Sequence, residues 1–365
     1  MDLPLNSTTC MVCGMRLVKN GKTAAGSQRW RCLSCGASQA RRRPDVTARQ
    51  QLRQFVCWVT GKQTQAEIDG TTSGRTFRRQ AAWCWDIEPR LEPATGIHHA
   101  VLVDGIWISG WCLLIALSDT GRVLAWQWSG GESVAAWKAL LEQVEAPAVL
   151  VSDGGTGIPT ALSACWPETK HQRCLFHLQM RVSRHLTMNP RTNAGRALRA
   201  LVMKLSELRD EDAAIAWQIR LDEWWRAFGH PTKERTLLRN GQFGFTHDRL
   251  RKAWHLVRGV VRNNTLFTYV TYGNPRTTSP LEGGINSQIR AVLRRHRGMS
   301  ETHQKRAVEW FLTLHEQPLN EALHRALPTQ APDTQPNAAE IDAPDEPTLY
   351  DTALSAEEGL WSRTG

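Results

Sequence analysis

Four cysteines near the start of this 365-residue chain, Cys10, Cys13, Cys32 and Cys35, follow the spacing C-x2-C-x18-C-x2-C. Two such pairs at this separation are the pattern of a four-thiolate zinc site. Thiolates in tetrahedral geometry close the coordination shell of zinc and leave no open position for chemistry, so the expected role is structural. Gly14 and Gly36 each follow a pair and let the backbone turn around an ion. Two unrelated cysteine pairs are the plainer alternative. Cys57, Cys84, Cys112 and Cys165 lack the spacing and read as small buried hydrophobes.

The carboxylates point to a different chemistry. Asp104 interrupts the apolar run 100–108, and Asp153 ends the short apolar run 148–151. An unpaired carboxylate is costly to bury, and a bound cation would offset that cost. Each also has an ordinary turn reading, as Asp104-Gly105 and as Asp153-Gly154-Gly155. A third acid, Glu282, lies in TTSPLEGGINSQIRAVLRRHR (277–297), which reads as a helix with Pro280 in its first turn and a basic C-terminal half. Glu282 follows Ser279 by three residues, so a capping box is the alternative. Arg290, Arg294, Arg295 and Arg297 would give that helix a face on which a phosphodiester can rest. Oxygen donors alone suit magnesium or manganese and not zinc, so two distinct metal sites are expected. Cys174 and His177 stand at i and i+3. They could share a helix face, but two ligands make a poor zinc site. His177 is expected to line the active site and touch a phosphate or orient a carboxylate; a packed core pair is the alternative.

These side chains need a scaffold. Strand patterns at 100–108, 111–117 and 123–128 form a meander, followed by a helix through Glu145, a short strand at 148–151 and a helix before Pro167. That order is an α/β layered sheet of the ribonuclease-H type, in which the strands carrying Asp104 and Asp153 lie side by side. Between 190 and 270 the pattern is helical, too long for a loop, and reads as an all-helical subdomain inserted into the core. Its Trp217, Trp224, Trp225 and Trp254 are either core or platforms for released bases. Upstream, strands are expected at 15–18 and 28–31, with Asn20-Gly21 as the turn. Arg41, Arg42 and Arg43 follow, as a phosphate contact or a solvated linker. From Thr47 to Trp85 apolar residues recur at helical spacing, and Thr72 or Ser73 could cap a helix carrying Arg75, Arg78 and Arg79. This reads as a small helix-turn-helix presenting arginines to DNA, or else as a helical spacer. The expected organisation is a zinc ribbon (1–43), a helical DNA-binding segment (44–92), the core (98–189), the insertion (190–270), the rest of the core with the Glu282 helix (271–326) and a disordered acidic tail (327–365).

The net charge of +10 is unevenly spread: residues 327–365 carry −7, so the rest carries +17. A body this basic favours a polyanionic partner through counterion release. The 41% hydrophobic content excludes a fibrous or wholly disordered chain. The longest mainly apolar stretch, 105–117, is far short of the roughly 20 residues that span a bilayer. The start, MDLPLNSTTC, has no secretory pattern. A cytoplasmic protein is therefore expected, in a reducing compartment where clustered cysteines bind metal.

VLVDGIW, VSDGG, HQRCLFH and SPLEGGINSQIR, in this order, resemble the catalytic signatures of Mutator-like transposases of bacterial insertion sequences. The resemblance covers about 98–312, and the ribbon and helical segment are similar to the DNA-binding end of one branch. It implies that Asp104, Asp153 and Glu282 form a DDE triad holding two magnesium ions, and that Cys174 and His177 are the C-x2-H signature. It further implies binding of double-stranded terminal repeats and target DNA by a dimer or larger synaptic assembly. Family members often continue the C-x2-H segment with Arg-Asn; here Arg181 is followed by Val182, and no role passes to either. A non-catalytic DNA-binding regulator and a ribonuclease-H-fold nuclease are the rival expectations.

Overall fold

The structure, a computed structural model, describes residues 10, 13–24, 26–40, 44–70, 73–93, 96–237 and 241–327. Arg41, Arg42, Arg43, Thr72 and the acidic tail from 328 onward lie outside the described residues.

The N-terminal module is an antiparallel sheet of β1 (Leu17–Lys22), β2 (Gln28–Cys32) and β3 (Ser38–Ala40), in that order. Asn20-Gly21 is not its turn. Gly21 has φ +66 and lies inside β1, where the register shifts between Lys19 and Lys22. A left-handed glycine inserted into a paired strand makes a bulge. The chain reverses instead between Thr23 and Ser27, whose N–H and C=O pair at 2.8 Å.

In α1 (Pro44–Thr60) Leu52, Phe55, Val56 and Val59 are all fully buried, as their i, i+3, i+4, i+7 spacing demands. The short α2 (Gln65–Asp69) starts with a capping box between Thr64 and Glu67. Ser73 is not the N-cap of α3 (Arg75–Ala81). Its N-cap is Gly74, at φ +60, where a Cβ would lie 2.7 Å from that of Gln65. The close approach of α2 and α3 therefore requires glycine there.

The central sheet runs β6-β5-β4-β7-β8. β4 (Ala100–Ile108), β5 (Trp111–Ser118) and β6 (Val123–Ser129) form the antiparallel meander. After α4 (Val134–Leu141), capped by the Ser133 hydroxyl, β7 (Val149–Ser152) pairs parallel with β4. After α5 (Ile158–Cys165), β8 (Lys170–Arg173) adds a further parallel strand. β8 was not expected, because KHQR has no apolar alternation. Backbone pairing to β7 and the buried Gln172 amide, which donates to the Leu266 and Arg173 carbonyls, hold it instead. Val101, Val103 and Leu150 face α4 and α5, while Ala100, Leu102, Ile106 and Val151 face helices from the C-terminal part.

A second core follows, built from α6 (Leu175–Leu186), α7 (Asn193–Met203), α8 (Glu211–Phe228), α9 (Asp248–Arg262) and α10 (Thr268–Tyr272). It is not all-helical: β9 (Arg235–Leu237) and β10 (Phe243–Phe245) form a hairpin, over which the guanidinium groups of Arg235 and Arg251 lie against the Phe245 ring. Trp217, Trp224 and Trp254 are buried in this core, and Trp225 stacks on Trp254 with centroids 4.6 Å apart. The indole N–H groups of Trp217 and Trp224 donate to the Leu201 and Ala194 carbonyls, so these rings are packed and not free to receive bases.

The predicted helix over 277–297 is broken into a π-helical turn, Pro280–Ile285, and α11 (Asn286–Arg295), which leaves Arg297 beyond its end. Pro280 has no N–H to give an α-helical first turn, and Gly283-Gly284 loosens the next. α12 (Glu301–Glu316) and α13 (Leu319–Ala326) complete the chain described. Ala307, Trp310, Ala322 and Leu323 join Leu52, Phe55, Val56 and Phe77 in one cluster, so the N-terminal helices are packed onto the C-terminal ones. Cys84 and Cys112 are buried as expected, but Cys57 is exposed and Cys165 partly so. Among the described residues no helix is long and apolar enough to cross a membrane.

Candidate active site and metal centres

The two cysteine pairs converge. The Sγ atoms of Cys10 and Cys35 are 3.5 Å apart, those of Cys13 and Cys32 3.4 Å, and all four lie within 4.8 Å of one another. Zinc–thiolate bonds of about 2.3 Å in a tetrahedron put sulfurs about 3.8 Å apart, so the cage fits that ion with little adjustment. Backbone N–H donation from Cys35 lowers the Cys32 thiol, while at Cys35 the backbone donation from Ala37 is outweighed by the neighbouring Cys13 and Cys10 thiols, which raise it, so the four sulfurs without an ion share protons that a metal would displace. These four residues are placed to bind a metal.

Asp104 and Glu282 share a cleft that Asp153 does not line, although the Asp153 charge is felt at Asp104. Leu102 of β4 pairs with Val151 of β7, so Asp104 and Asp153 each lie two residues further along neighbouring strands, which run roughly 5 Å apart. Asp153 turns out of β7, and its Oδ1 accepts from the Gly155 N–H at 2.7 Å. Glu282 arrives on the π-helical turn, anchored because Leu281, Ile285 and Ile289 pack on Leu102 and Ile106. The alternative capping box does not form. The Ser279 N–H donates to Thr277 Oγ1, and Glu282 Oε1 accepts from the Thr278 hydroxyl at 2.9 Å. Asp104 and Glu282 line a cleft of about 490 Å³ with Phe176, His177, Asn286 and Arg290. Burial raises Asp104 to about 7; the His177 charge opposes this, and Glu282 and Asp153 add to it. Such a carboxylate calls for a cation.

Two further residues reach the acids. Glu132, just before α4, reaches the site over Gly105 and Gly155. A Cβ on Gly105 would lie 2.8 Å from Glu132 Oε1, and one on Gly155 would lie 3.3 Å from Oε2. Burial first, then the Asp153 charge, raises the Glu132 carboxyl. The clue available was the glycine at both facing positions. Asn286, only 3% exposed, donates from Nδ2 to Asp104 Oδ2 at 3.0 Å, while its Oδ1 is buried without a hydrogen bond. An orphaned acceptor, converging carboxylates and a cradle kept clear of Cβ atoms make a donor set of oxygens that fits magnesium or manganese.

Cys174 is fully buried as the N-cap residue of α6, and its Sγ accepts from the Thr278 N–H at 3.3 Å, with the Thr278 hydroxyl that donates to Glu282 lying 3.4 Å away. His177, one turn on, reaches the cleft with Nδ1 3.4 Å from Glu282 Oε1. Burial works against its protonation, but the Cys174 thiol and the charges of Glu282 and Asp104 outweigh that and raise it to about 9. Under Gly154 lies Arg173, 5% exposed, a buried cation beside Asp153.

The arginines divide. Of those on α11 and just after it, Arg290 lines the cleft, whereas Arg295 donates to the Thr60 carbonyl at the end of α1. Arg295 and Arg297 instead border a separate groove of about 800 Å³ shared with Lys62, Arg78 and Trp58. Arg294 is exposed, its Nε turned back to the Arg290 carbonyl. Arg75, Arg78 and Arg79 are all exposed on α3.

Residues 112–247 match the family described as transposase, Mutator family. Over that stretch the chain is similar to Mutator-family transposases. The matched segment runs from β5 to just past β10 and takes in Glu132, Asp153, Cys174 and His177; Asp104 and Glu282 flank it on either side. No curated protein matches the chain.

Proposed function

We propose that this transposase cleaves the ends of an insertion sequence and joins the freed 3′ hydroxyls to target DNA, with Asp104, Asp153 and Glu282 as the triad that holds two magnesium or manganese ions. The observation that carries this is the partly buried Asp104, its carboxyl raised to about 7, lining one cleft together with Glu282 and Arg290. The meander followed by two parallel strands, β6-β5-β4-β7-β8, supports a ribonuclease-H-like core. When bound, the ion pair supplies an activated oxygen nucleophile and charge stabilisation for in-line phosphoryl displacement. The protein's own part is positional. Asn286 fixes the Asp104 carboxylate, His177 holds Glu282 at the mouth of the cleft, and Arg290 receives the phosphodiester.

The four cysteines would hold a structural zinc, and exposed Arg75, Arg78 and Arg79 on α3 would contact duplex DNA next to it, together with Arg295 at the groove. Both element ends have to be cut and joined together, which requires a dimer or larger synaptic assembly working on the DNA of the nucleoid. Incubating the full chain with labelled terminal-repeat DNA and magnesium tests the reading. Strand-joined products support it. Cutting without joining would make the protein a nuclease, and binding without cutting a regulator.

A further inference from the structure

Among the described residues a second set of mixed donors converges. Cys174 Sγ, a His177 ring nitrogen and a Glu282 carboxylate oxygen lie within 4.8 Å of one another. They come from two elements, the start of α6 and the π-helical turn. The 3.4 Å between His177 Nδ1 and Glu282 Oε1 matches the edge of about 3.4 Å between two ligands held about 2.1 Å from a tetrahedral ion. That Nδ1 is buried and makes no hydrogen bond; its partner is the Glu282 carboxylate in an ion pair, the contact that an ion between them would replace. The donation from the Thr278 N–H to Cys174 Sγ is a supporting bond that orients and stabilises a ligating thiolate, and the Thr278 hydroxyl does the same for the Glu282 carboxylate.

One sulfur, one imidazole nitrogen and one carboxylate oxygen make a borderline-soft set, which selects zinc over magnesium. We infer that Cys174, His177 and Glu282 bind a zinc ion separate from that of the ribbon, with its fourth position open to the cleft. With Oε1 on this ion, Glu282 has only Oε2 left for a magnesium ion beside Asp104, and two cations then compete for one carboxylate. Occupation of the mixed site therefore weakens the third acid's hold on magnesium and lowers the enzyme's activity. The inhibition rests on the proposed role of Glu282; the binding does not.

Cobalt and zinc titration of the full-length protein, followed by metal analysis after dialysis, tests the binding. Wild type should retain two equivalents, and Cys174→Ser and His177→Gln one each. Cys32→Ser, which breaks the ribbon cage, should retain one equivalent with the absorption spectrum of a single-thiolate cobalt site. One equivalent in wild type, or two in both Cys174→Ser and His177→Gln, overturns the site. Thermal melts show which of the two variants is folded, and a folded one decides. Filling the second site should then lower magnesium-dependent cleavage at least tenfold, with recovery on partial chelation. Unchanged cleavage at two bound equivalents refutes the inhibition. Absence of cleavage in protein lacking the second ion counts against the transposition mechanism, while the stoichiometry still decides the site.

Discussion

Asp104→Asn should stabilise the protein while abolishing its chemistry, and the structure sets the size and pH window of the effect. Asp104 rises from its ordinary 3.8 to about 7, first through burial and then through Glu282 and Asp153. A shift of about 3 pH units corresponds to a penalty on the order of 4 kcal/mol for holding the ionised group in the folded state. The folded protein binds this proton more tightly than the unfolded chain. The penalty is therefore absent below about pH 4, grows as pH rises, and is complete above about pH 7. Asparagine removes the charge and still offers an oxygen to the Asn286 amide. Urea unfolding without added magnesium should show variant and wild type alike near pH 4 and the variant more stable by a few kcal/mol at pH 8. Magnesium or manganese should reverse the order, because only wild type gains binding energy, about 2.7 kcal/mol at a hundred times Kd. Equal stability at pH 8, or a variant less stable at every pH, would refute the assignment of Asp104 as a partly buried carboxylate awaiting a cation.

Glu132→Gln keeps the shape beside Gly105 and Gly155 but removes a charge from the cluster; the magnesium concentration for half-maximal cleavage should rise several-fold, and an unchanged requirement would exclude Glu132 from ion binding. Gly154→Ala puts a Cβ 1.5 Å from the buried Arg173 Nη1 at φ +67, so denaturant melts should show a loss of at least about 2 kcal/mol. Trp310→Ala empties a fully buried site between α12 and α1 and should cost about 3–5 kcal/mol, with protease cleavage appearing first in the N-terminal helices. Stripping metal with a strong chelator should dissolve the β1–β3 sheet, read as loss of amide dispersion for residues 10–40, and leave the signals of the central sheet in place.

The family resemblance and the N-terminal metal cage were legible in the chain. A thiolate quartet needs only spacing and two turns, and a buried strand with one acid in it announces its own cost. Helix periodicity likewise put Leu52, Phe55, Val56 and Val59 inside. The errors fell where local rules compete with packing. Asn20-Gly21 is a strong turn signal, yet pairing of Lys22 with Gln28 keeps β1 going past it as a bulge. Ser279 and Glu282 have the spacing of a capping box, but Thr278 and His177 claim the Glu282 carboxylate. β8 has no pattern to read, because its pairing and not its side chains makes it a strand. The tertiary structure alone decided that Glu132 and Asn286 reach the acids, that Arg290 faces the cleft while Arg295 turns away, and that Cys174, His177 and Glu282 meet. Sequence spacing specifies neighbours along one helix or strand. Convergence of residues more than a hundred positions apart depends on how the layers stack, and only the packed core fixes that.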